Sequence, residues 1–182
     1  MKKDENNARP NSGRIFFKHT TLPDLSANLI FWPLLVAGLS LDLWSKKAVF
    51  DWLGEGRGSF SIIEGFLRLV MAVNDGAAFG LFAGHPYWLV AASILALIVV
   101  FTVFLLGGAK QRLVNVSLGL FAAGICGNLY DRLFNDGLVR DFIDVTIWQG
   151  RHWPAFNIAD SMLCIAVGLV FISCFTAPKS PS

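Results

Sequence analysis

The amino-acid sequence predicts an all-α integral membrane protein with four transmembrane helices, a small extracytoplasmic β-like platform and an interfacial segment. Of its 182 residues, 54% are hydrophobic and only 15% are charged, whereas a soluble domain carries about 25% charged residues. Four apolar runs approach the roughly 20 residues that a helix needs to cross a hydrocarbon core of about 30 Å. Because backbone groups in lipid must find their hydrogen-bond partners within the protein, these runs are expected to be helices.

The four predicted spans occupy about residues 28–49, 86–107, 113–131 and 157–177. The first span is interrupted late by Asp42, and the second contains no charged residue. Only the short segment GAKQR separates the second span from the third. Four helices with both termini on the same side of the membrane is the simplest topology for this pattern.

Two longer connections, residues 50–85 and 132–156, lie on the side of the membrane opposite to GAKQR. In the first, GSFSIIEGFLRLVMAVNDGAAFG partly alternates polar and apolar residues, which is typical of short strands or of an interfacial platform. In the second, DFIDVTIWQGRHWPAF is rich in aromatic residues, which favour the membrane interface. These connections are expected to form the platform and the interfacial segment.

Polar tails flank the predicted four-span membrane domain of residues 28–177. Residues 1–27 form a polar, basic tail and residues 178–182 a short second tail. The termini and the short loop carry eight Lys and Arg residues, against seven in the two long connections and the adjoining end of the first span, which contains Lys46 and Lys47. Because basic residues favour the cytoplasmic side and short segments weigh most in this rule, both tails are predicted to be cytoplasmic.

Composition and motifs argue against several classes of function. The net charge is only +2 and the basic residues are dispersed, so nucleic acid is not an expected partner. The cysteines lie in apolar segments without CxxC spacing and the histidines are isolated, so neither a disulfide nor a metal site is predicted. GRGSFS, around Ser59, lacks the G-x-S-x-G pattern of a serine nucleophile. No cofactor is predicted.

The carboxylates in or near the predicted spans gather at one end of the bundle. Asp42 lies late in the first span, Asp131 closes the third and Asp160 opens the fourth. Asp141 and Asp144 lie in the segment that leads to the fourth span. Ionisable residues in membrane helices are costly and are functional hypotheses by default. This end of the bundle is therefore the predicted site.

Helical spacing adds partners to these carboxylates. Asn128, Asp131 and Arg132 are related by three or four positions and share one helix face, as do Asn157 and Asp160. The third span also has a small-residue stripe, Gly119, Ala123 and Gly127, on which Asp131 is the next position. Small residues at this spacing let helices approach closely in lipid. The stripe therefore either presses the third span against a neighbour and directs Asp131 into the bundle, or serves helix packing alone.

Two carboxylates that are held close together can share one proton, because both cannot readily ionise. The ionised member can take a proton from water while the neutral member donates a hydrogen bond to the scissile carbonyl. Such a pair hydrolyses an amide without a covalent intermediate. The paired aspartates, with Asn and Arg partners at the membrane surface, make this chemistry one hypothesis.

Simpler interpretations stay open at this point. Asp160 can cap the fourth helix, Asp42 can form only a helical ion pair with Lys46, and Arg132 can extend to the interface. A proton-coupled carrier that uses Asp42, Asp131 and Asp160 as a relay is a second class of function, and a non-catalytic scaffold is a third. A carrier needs carboxylates spread through the membrane depth, whereas these gather at one face.

Five motifs occur in an order that is typical of one family. They are LDLWSK (41–46), NDGAAFG (74–80), GNLYDR (127–132), VRDFIDV (139–145) and FNIADS (156–161). Together with four spans in a short chain, they resemble the lipoprotein signal peptidases (signal peptidase II) of bacteria. The resemblance covers about residues 28–177.

The resemblance implies an aspartyl endopeptidase that crosses the bacterial inner membrane several times, with its active site toward the extracytoplasmic face. It implies that the substrates are prolipoproteins, cut just before a cysteine that already carries diacylglycerol. Membrane lipids and globomycin-like cyclic peptides are the other partners that it implies.

The resemblance also implies roles for individual residues. The catalytic pair falls on Asp141 and Asp160. The positions that bind the substrate or hold the pair in place fall on Asn74, Asn128, Arg132, Asn157, Asp42 and Asp131.

The segment DRLFNDGLVRD departs from the family pattern: it is one residue longer than the usual gap between the D-R pair and the first catalytic aspartate, and it contains Asp136. Asp136 and Asp144 are therefore alternatives to Asp141. Asp141 is favoured because DFI follows it, and Asp144 is expected to be solvated or interfacial.

Overall fold

The computed structural model describes residues 22–76, 81–107, 111–148 and 150–176. Four helices are present within these ranges, and each is long and apolar enough to cross a membrane. They are α1 (Leu25–Gly54), α2 (Pro86–Gly107), α3 (Arg112–Phe134) and α4 (Ile158–Thr176). The predicted fold class, four transmembrane helices with a small sheet, is confirmed.

The helix α1 begins inside the segment that was predicted to be a polar tail. Asp24 caps it, because its Oδ1 accepts a hydrogen bond of 2.7 Å from the N–H of Ala27. A carboxylate at this position satisfies one of the free N–H groups of a helix start. The first helix therefore begins three residues earlier than the predicted span of 28–49, whereas residues 1–21 and the predicted tail 178–182 lie outside the described residues.

The helix α3 is the centre of the bundle, and it packs against α1, α2 and α4. Its small-residue stripe faces α1: a Cβ added to Gly119 would lie 3.1 Å from the carbonyl oxygen of Phe31. A Cβ on Gly127 would overlap the carboxylate of Asp42 on the same helix α1. The prediction that this stripe brings two helices into close contact is confirmed, and it places Asp42 beside the polar end of α3.

The strands form one antiparallel sheet in the order β1 (Ser59–Ile63), β2 (Leu67–Asn74), β3 (Val139–Trp148) and β4 (Arg151–His152). The first two strands form a hairpin in the connection between α1 and α2, and the last two lie between α3 and α4. The segment predicted to be interfacial therefore contributes half of the sheet. In the β2–β3 register, Ala72 lies opposite Asp141 and Asn74 lies opposite Val139. This register brings the end of β2 beside the helix ends.

Candidate active site

All eight predicted site residues belong to one connected network of hydrogen bonds and ion pairs. Five elements supply their side chains: α1, the last turns of α3, the two central strands β2 and β3, and the start of α4. The members are Asp42, Asn74, Asn128, Asp131, Arg132, Asp141, Asn157 and Asp160, joined in part through Lys46. The sequence prediction that the polar residues meet at one end of the bundle is thus matched by the structure.

Asp160 and Asn157 form a reciprocal cap at the start of α4. The side-chain oxygen of Asn157 accepts from the N–H of Asp160 at 2.9 Å, and Asp160 Oδ2 accepts from the N–H of Asn157 at 3.2 Å. This is the geometry of a capping box. The capping interpretation of Asp160 is therefore correct, but it engages only one carboxylate oxygen. The other, Oδ1, accepts from Asn128 Nδ2 at 2.7 Å.

Asp141 lies on β3 beside this cap and is 2% exposed. Its Oδ1 accepts a hydrogen bond of 2.7 Å from Asn157 Nδ2, and its Oδ2 accepts one of 3.2 Å from Asn74 Nδ2. Burial, and next the negative charge of Asp160, raise the pKa of Asp141 to about 7. Asp141 therefore keeps its proton up to about pH 7, with the carboxyl group of Asp160 close enough to influence it.

Lys46 sets the orientation of the amide groups between the two carboxylates. Its Nζ donates to Asn128 Oδ1 at 3.0 Å, and it is fully buried. A lysine ammonium group can only donate, so the amide of Asn128 must direct its oxygen toward Lys46 and its Nδ2 toward Asp160. The same oxygen also accepts from Asn157 Nδ2 at 3.0 Å. The network therefore has a single consistent donor and acceptor pattern.

Through Lys46, this hydrogen-bond network continues into a buried ion cluster, which consists of Asp42, Lys46, Asp131 and Arg140. Lys46 Nζ is 2.8 Å from Asp42 Oδ2 and 3.2 Å from Asp131 Oδ2, and Arg140 is 2.6 Å from Asp131 Oδ1. Two acids and two bases make the cluster neutral, which is the arrangement that tolerates burial. The Asp42–Lys46 ion pair expected from their spacing is present. Asp42 also supports the site, because its Oδ1 accepts a hydrogen bond of 2.8 Å from the N–H of Ala159 in the first turn of α4.

Arg132 faces the site rather than extending to the interface. One guanidinium nitrogen donates to the carbonyl oxygen of Gly76 at 2.9 Å, and the other lies 3.4 Å from the carbonyl oxygen of Asn128. The group also interacts electrostatically with Asp160 and Asp141. The interfacial interpretation of Arg132 is therefore wrong, because its charge is directed at the two carboxylates.

The two carboxylates line a cavity of about 1130 Å³. Asp141, Asp160, Asn74, Asn128 and Arg132 form its polar end. Its remaining walls are largely apolar and come from β2, from β3, from the segment before α4 and from α4 itself; they include Trp153, Pro154, Phe156, Leu163 and Ile165. A polar end joined to an apolar groove fits a substrate that is part peptide and part hydrocarbon.

The two alternatives to Asp141 lie outside this network. Asp136 is exposed, in a left-handed turn (φ 51°) after α3. Asp144 was expected to be solvated or interfacial, and the solvated alternative is wrong: it is 4% exposed, and it binds Arg68 and, at 3.0 Å, His152. The cross-strand pairing of Arg68 with Asp144 explains the burial, because it supplies a cation beside the carboxylate.

Sequence reasoning missed Lys46 and Arg140 as parts of the site. A lysine within an apolar helix, four residues after Asp42, is the signal that could have identified the first. Arg140 has a weaker signal, its place immediately before Asp141. Within the described ranges, no three His, Cys, Asp or Glu side chains are grouped so as to hold a metal ion.

Comparison with known proteins agrees with this geometry. The sequence model of the family described as signal peptidase (SPase) II matches residues 34–176. The chain belongs to the signal peptidase II family. It is therefore a peptidase and a multi-pass bacterial membrane protein, and the resemblance that its motifs predicted is confirmed.

Individual relatives match this signal peptidase II over most of its length. Lipoprotein signal peptidases from Rhodopirellula baltica and Photorhabdus laumondii are each 38% identical to it, over 168 and 165 residues. The first alignment covers 84% of this chain and 74% of the relative, and the second covers 86% and 93%. Two solved bacterial membrane enzymes have TM-scores of 0.70 and 0.67 at 28% and 29% identity. They cover 90% and 88% of this chain and 99% of each enzyme chain.

Proposed function

We propose that the protein is an aspartyl endopeptidase that removes signal peptides from prolipoproteins, cutting before the diacylglyceryl-modified cysteine. Asp141 and Asp160 are its catalytic dyad. The observation that carries the proposal is that both carboxylates line one cavity and both accept hydrogen bonds from Asn157, Asp141 from its side-chain Nδ2 and Asp160 from its backbone N–H. Membership of the signal peptidase II family and the named relatives support the substrate class.

The two aspartates have different roles in the proposed reaction. Asp141 is the neutral member, because burial and the neighbouring charge keep its pKa near 7. Its proton belongs on Oδ2, since Oδ1 is engaged by Asn157 at 2.7 Å while the Asn74 contact is longer, at 3.2 Å. Asp160 accepts hydrogen bonds at both oxygens and is the member that takes a proton from water.

The reaction then needs no covalent intermediate. Water loses a proton to Asp160 and attacks the scissile carbonyl carbon, while Asp141 gives its proton to the carbonyl oxygen. The tetrahedral intermediate collapses when the proton on Asp160 passes to the leaving amide nitrogen and Asp141 recovers its own. The products are a carboxyl group on the signal peptide and an amine on the cysteine. Arg132 lowers the energy of the negative charge that stays in the site throughout.

The cavity supports a substrate that is anchored in lipid. Leu163 and Ile165 lie on α4 after Asp160, so the apolar wall extends from the dyad along a membrane-spanning helix. A signal peptide helix and a diacylglyceryl group can both reach such a site from the bilayer. Membrane lipids contact the same face, and globomycin-like cyclic peptides occupy the cavity. The site faces the extracytoplasmic side of the bacterial inner membrane, with both termini in the cytoplasm.

Product analysis tests this function. The purified protein is incubated with a prolipoprotein that carries the diacylglyceryl cysteine and, separately, with the same precursor without the lipid. Mass spectrometry is expected to show a new N-terminus at the lipidated cysteine only, and a globomycin-like peptide is expected to compete. Cleavage elsewhere, or equal cleavage of both precursors, would refute the proposed specificity.

A further inference from the structure

Arg140 is the residue immediately before Asp141, and it is held by a single carboxylate at both its backbone and its side chain. Its N–H donates to Asp131 Oδ2 at 3.0 Å. Its Nε and one terminal nitrogen donate to Asp131 Oδ1 at 3.2 and 2.6 Å. An arginine that forms a forked contact in this way is fixed in orientation as well as in position. The start of β3 is therefore fastened to the last turns of α3.

The next peptide, which joins Arg140 to Asp141, is held as well. The carbonyl oxygen of Arg140 accepts from Asn157 Nδ2 at 3.3 Å, and this nitrogen also donates to Asp141 Oδ1 at 2.7 Å. The backbone of Arg140 is thus held on both sides, by Asp131 on α3 at its N–H and by Asn157 at the start of α4 at its carbonyl oxygen. Because Asp141 is the next residue, the position of Arg140 influences the direction of the Asp141 side chain.

Charge balance depends on Arg140 too. Asp131 is fully buried, and its second cation, Lys46, is shared with Asp42. Without Arg140, two buried carboxylates would share one ammonium group, and Asp131 Oδ1 would lose its cation. Of its contacts with Asp131, the start of β3 would then keep only the hydrogen bond from the backbone N–H of Arg140, next to Asp141.

We infer that Arg140 is a positioning residue for the peptidase reaction, acting on Asp141 through Asp131. The inference rests on the proposed catalytic role of Asp141. Arg140 contacts neither the cavity nor the substrate in this account, so its loss is expected to lower turnover and to leave substrate affinity nearly unchanged. The forked contact is also specific to arginine, because lysine presents a single ammonium group and cannot reproduce it.

Steady-state processing of a diacylglyceryl prolipoprotein tests the inference. Arg140→Gln is expected to lower kcat on the order of 10- to 100-fold, the usual effect of a misplaced catalytic group, with KM changed less than about threefold. Arg140→Lys keeps the charge and is expected to fold normally. Its kcat is expected to lie between that of the unchanged protein and that of Arg140→Gln. Arg68→Gln is the matched control, because Arg68 forms an Arg–Asp pair on the same sheet but outside the dyad network. It is expected to keep nearly full kcat.

Three results would overturn the inference: full kcat in Arg140→Gln, an effect confined to KM, or full kcat in Arg140→Lys. If Arg140→Gln does not fold, the Lys variant alone decides. Asp141→Asn is assayed in parallel. Its inactivity beside an active Arg140→Gln would refute only the positioning role, whereas an active Asp141→Asn would refute the proposed dyad itself.

Discussion

The side-chain amide of Asn157 donates a hydrogen bond of 2.7 Å to Asp141. Its oxygen accepts from the N–H of Asp160 at 2.9 Å, so one side chain caps α4 and joins the carboxylate of Asp141 to the backbone of Asp160. The membrane-spanning helix and the strand are thereby joined at their reactive ends. The predictions below follow from this connection and from the buried ion cluster under it.

Asn157→Ser is expected to separate the cap from the dyad. Serine is a good N-cap residue and can still accept from the N–H of Asp160, but it lacks the donor to Asp141. We expect a melting temperature close to that of the unchanged protein and a kcat lower on the order of 10²-fold, because a catalytic group is displaced. Thermal unfolding in detergent and precursor processing measure the two effects. The control is Asn157→Ala, which also loses the cap and is expected to be less stable by about 1 kcal/mol. Full activity of Asn157→Ser would contradict the role given to the Asn157–Asp141 hydrogen bond.

The pKa of Asp141 predicts how activity depends on pH. The neutral form is the reactive one, so kcat/KM is expected to fall as pH rises through about 7. A profile of processing rate against pH, in mixed micelles of constant composition, measures this limb. The profile should cover roughly pH 6 to 9, which extends about one to two units on either side of that pKa. A rate that stays level over this range would contradict the assignment of Asp141 as proton donor.

The same carboxyl group predicts how stability depends on pH. Its pKa is raised from 3.8 to about 7 on folding, so the folded protein holds a proton that the unfolded chain has released between these values. The free energy of unfolding therefore falls as pH rises through this window, by on the order of 4 kcal/mol in total. Asp141→Asn has no such titrating group and so does not lose stability over this range. The difference between its melting temperature and that of the unchanged protein is therefore expected to increase in its favour from pH 4 to pH 8, roughly the limits of that window. Asp136→Asn, in an exposed turn, is the control and is expected to show no such trend.

Two neighbouring lysines provide a test of the buried ion cluster. Lys46→Met leaves Asp42 and Asp131 buried without their shared cation, and the expected destabilisation is about 3–5 kcal/mol. Lys47 pairs with Asp51 at 2.7 Å, but both side chains are largely exposed, at 74% and 64%. Lys47→Met is therefore expected to change stability by at most about 1 kcal/mol. Equal effects of the two substitutions on thermal unfolding would show that burial of the cluster has been misjudged.

Two helical glycines test the contact between α1 and α3. A methyl group on Gly127 would overlap the Asp42 carboxylate, whereas nothing lies within 4 Å of the corresponding position on Gly168 in α4. Gly127→Ala is expected to destabilise the protein by about 1–3 kcal/mol through overpacking and to lower processing, since Asp42 supports the first turn of α4. Gly168→Ala is expected to be neutral, or more stable by up to about 1 kcal/mol through helix propensity. Unfolding midpoints and processing rates of the two variants check this contrast.

The sequence was sufficient to predict the membrane-spanning helices, since hydropathy over some 20 residues reports the length of a helix that can cross lipid. It also placed Asp42, Asp131 and Asp160 at one end, because the order of the spans fixes which ends lie together. The contact of Lys46 with Asn128 could not be predicted in this way, since helical periodicity does not specify which faces of two helices meet.

The sheet was harder to predict for a related reason. The pairing of β2 with β3 contains a register shift between Leu69 and Ala72, and this shift sets which residue lies opposite Asp141. Alternation of polar and apolar residues indicates strands but not their register. The burial of Asp144 depends on the register as well, because Arg68 reaches it from the neighbouring strand.

The central claim is that Asp141 and Asp160 together cleave the precursor. The most direct measurement is a gel-shift assay of a diacylglyceryl prolipoprotein with purified Asp141→Asn and Asp160→Asn, each first shown by thermal unfolding to be folded. The account predicts that neither variant processes the precursor, while Asp136→Asn processes it fully. Complete processing by a folded Asp141→Asn or Asp160→Asn variant would contradict the account.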